Sequence, residues 1–86
     1  MATCDKLLQK ARNNRKGLRF TELEKLAQCF GFYLARQGGT SHRVYKAEGR
    51  ITFFVLEPDK NGKARPYQVK QVLDEIDAIL QERGES

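Results

Sequence analysis

One histidine, two cysteines and no long apolar run set the first limits on this chain. A structural zinc site needs four Cys or His ligands, and His42, Cys4 and Cys29 supply only three. Two cysteines make no disulfide framework. One bond between them is open to the chain, but their spacing does not ask for it, and the expectation is two free thiols in a reducing cytosol. No stretch nears the roughly 20 apolar residues of a membrane span. The first residues run into Asp5, Lys6 and Lys10 rather than into the apolar segment of a signal peptide. A cytoplasmic protein is therefore expected. Repeats, linkers and low-complexity segments are missing too. No carboxylates cluster at metal-ligand spacing, so neither a metal nor another cofactor is called for. The 86 residues make one domain, 1–86, with one modest core. A site on so small a body lies on a surface or in a shallow groove.

What the chain has in excess is positive charge. Sixteen Lys and Arg against eleven Asp and Glu give a net charge of +5 and a pI near 9.5. Nucleic acid is the first partner class this favours, and an acidic protein the second. A membrane surface is weaker, because no helix pairs a basic face with a broad apolar one.

The hydrophobic pattern predicts a short helix over 3–13, carried by Leu7, Leu8 and Ala11 and broken by Asn13, Asn14 and Gly17. A second helix is expected over 21–30. Thr21 and Glu24 have capping-box spacing, Leu23, Leu26, Ala27 and Phe30 recur at helical intervals, and Gly31 follows where a left-handed cap belongs. Strands are read at 32–37, 41–47 and 50–56, with turns at Gly38-Gly39 and Glu48-Gly49. Asp59-Lys60-Asn61-Gly62 is a turn rather than a calcium loop, since lysines interrupt it and the later acidic ligand is absent. A last helix starts at Pro66 and carries Val69, Val72, Leu73, Ile76, Ile79 and Leu80 on one side. The expected fold is α+β: α-β-β-β-α with a three-stranded antiparallel sheet, helices on one face, and an extra N-terminal helix. Double-stranded-RNA-binding domains share this order, which by itself is weak evidence of function.

His42 follows Gly38-Gly39-Thr40-Ser41 at the point where a turn becomes a strand. Glycines there allow close approach of a phosphate backbone. Thr40 and Ser41 offer hydroxyl donors, and Arg36, Arg43, Lys46 and Arg50 surround the histidine in sequence. RNA brings its own nucleophile, the 2′-hydroxyl. Cleaving it needs a base for that hydroxyl and cations to steady the charge on the phosphoryl oxygens. Imidazole is the side chain suited to the first task near neutral pH. A lone histidine in a small domain is more often structural, and exposed cations are more often a solvated face. Lys60, Lys63 and Arg65 precede the last helix, whose N-terminal amides favour phosphate; a solvated loop is the equal alternative. For Tyr67, packing over the helix start is preferred to stacking on a base.

From Leu26 to Leu80 the chain resembles the HicA family of toxin–antitoxin ribonucleases. The resemblance rests on a helix ending in Gly31-Phe32, an Arg36-Gln37 strand, then Gly39-Thr40-Ser41-His42 and an aromatic at Tyr45. It implies that His42 is catalytic, that mRNA is cleaved without a metal, and that a HicB-type antitoxin masks the site in a hetero-oligomer. Gly39, Thr40, Ser41, Arg36, Arg43, Lys46, Lys60, Lys63 and Arg65 are the RNA-binding candidates. Many members carry a second histidine in a Pro-x-His segment after the third strand; here that stretch is Glu57-Pro58-Asp59-Lys60. A non-catalytic RNA-binding domain and a basic protein-interaction module of the same fold remain the alternatives.

Overall fold

A computed structural model describes residues 4–38 and 42–84. Helix α1 spans Cys4–Asn13 and buries Leu7 and Ala11, with Asp5 in its first turn and Lys10 and Arg12 in its last. Those charges oppose the helix dipole at both ends. A 3₁₀ turn, Arg15–Gly17, is closed by the Asn14 side chain, which accepts from Gly17 N–H at 3.0 Å. Helix α2 follows at Phe20–Cys29. Its start corrects the expected capping box. Arg19 stands at the cap, and Glu22 Oε1 accepts the Arg19 backbone N–H at 3.0 Å. Thr21 lies inside the helix, and Glu24 turns inward because burying Leu23, Leu26 and Ala27 fixes the helix phase. Gly31, with φ of 93°, ends the helix in the left-handed conformation open to glycine.

Strands β1 (Phe32–Gln37), β2 (Arg43–Ala47) and β3 (Phe54–Leu56) form an antiparallel sheet in the order β1-β2-β3. The third strand is shorter than the expected 50–56. Arg50 is bound through its guanidinium to Glu75 and Glu82, and the chain rejoins β2 only at Phe54. Helix α3, Pro66–Glu82, supplies these two carboxylates and opens with Pro66 as expected. The α-β-β-β-α order and the extra N-terminal helix are both present.

Phe32, Tyr45, Ala47, Phe54 and Leu56 face one way and join Leu23, Leu26 and Ala27 of α2 and Val69, Val72, Leu73, Ile76 and Ile79 of α3 in a single core. Burying each such side chain contributes about 1.5–3 kcal/mol. The other sheet face is uncovered: Tyr33, Phe53 and Val55 are exposed there. A bulge in β1 matters to this face. Leu34 pairs with Tyr45 and Arg36 with Val44, leaving Ala35 as the extra residue. The insertion resets the alternation, so Arg36 shares the open face with Val44 and Val55.

Cys4 and Cys29 are joined in a disulfide, which corrects the expectation of free thiols. The spacing of 25 residues concealed it. The 3₁₀ turn folds α1 back along α2, and this brings the start of one helix to the end of the other. Among the described residues, no helix is long and apolar enough to cross a membrane.

Candidate active site on the open sheet face

His42 directly precedes β2, and its carbonyl accepts the Gly38 N–H at 2.8 Å, closing the β1–β2 turn. Pleating sends His42 and Arg43 to opposite sides. The His42 Nε2 lies 3.1 Å from Glu57 Oε2, with the imidazole about half exposed. Glu57 is brought there by register: Arg43 pairs with Leu56 in antiparallel strands, so the residue before Arg43 meets the residue after Leu56. The imidazole thus rests against a carboxylate at the rim of the open face. A groove of about 650 Å³ elsewhere, lined by Cys4, Leu8, Arg12, Phe30 and Asp77, does not include it.

On the open face Lys46 is paired with Tyr33, and exposed Phe53 lies directly before β3. Arg36 lies in the next row with Val44 and Val55. Two cations and two aromatic rings therefore share the surface that ends at His42. Such a surface can hold phosphates and stack bases.

Arg43 is not brought to this face. Its Nη1 binds both oxygens of Glu24, at 2.7 and 2.8 Å, while its guanidinium lies 5.4 Å from the Phe20 ring centre. Tyr45 also donates to Glu24. The Glu24 contact holds the Arg43 guanidinium charged beyond its ordinary range. Burial first, and the Glu24 bond second, push the Tyr45 hydroxyl up to about 12. This triad ties α2 to β2 and fixes the strand that delivers His42.

The loop after β3 is ordered by Asp59, whose Oδ1 accepts the N–H groups of Asn61 and Lys63 at 2.8 and 2.9 Å. These bonds, the Lys63 one foremost, hold the Asp59 carboxyl below the usual carboxylate pKa. Lys60 and Lys63 are exposed on this turn; Arg65 is half-buried and reaches the Pro58 carbonyl at 3.4 Å. Tyr67 does not pack over the helix start as expected: it is 60% exposed, its hydroxyl accepting from Gln68 Nε2. Gly39, Thr40 and Ser41 lie outside the described residues.

Sequence reading missed Glu57, noted only as a residue of the segment without a second histidine. The register of two short strands was needed to bring it to His42. Tyr33 and Phe53 were missed as well, although strand alternation places them opposite the buried Phe32 and Phe54.

The fold and its rim define a small α+β domain that presents an imidazole–carboxylate pair beside a basic, aromatic sheet face. A family profile described as the HicA toxin of bacterial toxin–antitoxin matches residues 20–78, and the chain belongs to that family. No curated protein and no solved structure matches it.

Proposed function

We propose that the chain is the toxin of a type II toxin–antitoxin pair, an endoribonuclease that cleaves mRNA in the cytoplasm with His42 and needs no metal. The observation that carries this reading is the His42–Glu57 contact at the edge of a solvent-facing sheet bearing Arg36, Lys46, Tyr33 and Phe53. With Nε2 turned to the carboxylate, Nδ1 is left to take the 2′-hydroxyl proton. Glu57 steadies the imidazolium that results. The freed 2′-oxygen attacks the adjacent phosphorus, a 2′,3′-cyclic phosphate forms, and the 5′-oxygen departs with a proton from water or a nearby lysine.

Arg36, in the row next to His42, would neutralise the phosphoryl oxygens, Lys46 would hold a phosphate further along the sheet, and Lys60, Lys63 and Arg65 would add positive charge from the loop after β3. Arg43 acts through the Glu24 triad. Gly39, Thr40 and Ser41 stay RNA-binding candidates on their sequence alone. A HicB-type antitoxin, covering this face, forms the resting hetero-oligomer.

The test is expression of wild type against His42→Ala, scoring growth and RNA integrity together. His42→Ala is expected to stay folded and to lose ~10²–10⁴ in cleavage rate. A folded His42→Ala chain that remains as toxic as wild type rejects the assignment. RNA binding without cleavage in wild type gives the alternative, a non-catalytic RNA-binding domain.

A further inference from the structure

The stretch that leads from the 3₁₀ turn into α2, residues 18–20, is zipped to the loop that follows β3. Ala64 N–H donates to Leu18 O at 2.9 Å, Phe20 N–H donates to Gly62 O at 3.2 Å, and Arg19 and Lys63 form an antiparallel bridge. Segments more than 40 residues apart are thereby laid side by side. Each is basic. Arg15, Lys16 and Arg19 come from the first, Lys60 and Lys63 from the second, and all five are exposed. None is in an ion pair among the described residues, in contrast to Lys10, Arg12, Arg50 and Lys70, which are. The one carboxylate inside the loop, Asp59, spends Oδ1 on two backbone N–H groups of its own turn.

Arg19 acts at a distance on Glu22 and Lys63 on Asp59, yet the two joined segments keep an excess of positive charge that a row of phosphates would balance. Lys60 follows Glu57 by three residues in the chain, so one half of the ridge sits on the loop that Glu57 begins. Arg15, Lys16 and Arg19 lie ahead of the residues that match the family profile, so this half of the ridge belongs to the chain's own N-terminal extension.

We infer that Arg15, Lys16 and Arg19, with Lys60 and Lys63, form a second phosphate-binding surface that holds the RNA backbone flanking the scissile bond. RNA is favoured over an acidic protein because neither joined segment, 14–20 or 58–65, exposes a large apolar side chain of the kind a protein interface buries. The inference rests on the ribonuclease reading. On that reading the 3₁₀ turn is a clamp: it fixes the strand leaving the site and sets the length of RNA the protein needs.

The experiment is a fluorescence-anisotropy titration of a single-stranded RNA of about 15 nucleotides against salt, in a His42→Ala background that cannot cut it. Three double variants each remove two positive charges: Lys16→Gln with Arg19→Gln, Lys60→Gln with Lys63→Gln, and the off-ridge control Lys25→Gln with Lys70→Gln. Thermal melts check the fold of each. Either ridge double is expected to weaken binding about tenfold or more at low salt and to flatten the log–log salt slope by about 1.4, from roughly 0.7 per lost phosphate contact. The control should leave the slope unchanged. RNAs trimmed to about 5 nucleotides should lose the difference between ridge and control variants. If wild type binds RNA but Lys16→Gln with Arg19→Gln matches the control, the second surface is refuted while the ribonuclease reading stands. If the His42→Ala parent binds no RNA, both fall. Intact RNA binding by both ridge doubles with weakened capture of an acidic protein partner also overturns the inference.

Discussion

His42 and Arg43 are neighbours in sequence and serve opposite sides of the sheet. The imidazole meets Glu57 at 3.1 Å on the open side, while the guanidinium is locked to Glu24 on the helix side. One step of the strand thus separates a group free to meet substrate from the group that anchors it.

Glu57 is expected to position the imidazole rather than react. Glu57→Gln should keep the fold and RNA affinity while lowering the single-turnover cleavage rate about 10- to 100-fold, the 1.5–3 kcal/mol of a hydrogen bond to a charged group. A variant that cleaves at the wild-type rate would remove Glu57 from the site.

Cleavage through the 2′-hydroxyl should leave a 2′,3′-cyclic phosphate or the 3′-phosphate derived from it, and should persist in EDTA. No second histidine exists to serve as the acid, so the departing 5′-oxygen takes its proton from water or a lysine. End-mapping of RNA fragments with chelator present is the check. Ends bearing 5′-phosphate and 3′-hydroxyl would contradict the mechanism.

Alkaline stability should depend on Tyr45. Its folded-state value, about 12, lies above the ordinary 10, so the folded chain holds the phenolic proton more tightly than the unfolded one. That contribution, roughly 2–3 kcal/mol, is complete below pH 10 and is lost as pH rises towards 12. Urea midpoints measured from pH 9 to 12 should fall steeply in wild type. In Tyr45→Phe they should fall less over the same interval, from a lower starting value.

Reduction of the Cys4–Cys29 bond should destabilise the domain by about 3.5 kcal/mol, the loop-closure entropy for a separation of 25 residues. For a chain of this size, that is a drop of roughly 15–30 °C in Tm. Melting with and without reductant, beside a Cys4→Ser chain, measures it. Equal melting temperatures would show the bond to be without weight in folding.

The elements were legible where periodicity was strong. Val69 to Leu80 announced α3, Gly31 marked the end of α2, and β1 fell on Phe32–Gln37 as read. Long-range facts were not legible. The Arg50 contacts that shorten β3, the disulfide, and the pairing of Arg19 with Lys63 each join residues distant along the chain. Thr21 and Glu24 misled because capping spacing is local, whereas the phase of α2 is set by what Leu23 and Leu26 bury. At the site, the glycine-rich turn drew notice to His42 and the family resemblance made it the catalytic candidate, but its partner required knowing that Arg43 faces Leu56.

The order of the elements also bears on synthesis. Every residue assigned to the candidate site and its ridge lies at or before Arg65, while Val69, Val72, Leu73, Ile76 and Ile79 complete the core afterwards. A ribosome that has reached Arg65 has made the imidazole, its carboxylate and all the ridge cations, but not the helix against which the sheet packs. Those five aliphatic side chains are the apolar partner of the sheet's covered face. The pairing of His42 with Glu57 thus leans on a helix made after both of them, and the last stretch of the chain sets when the pair can form.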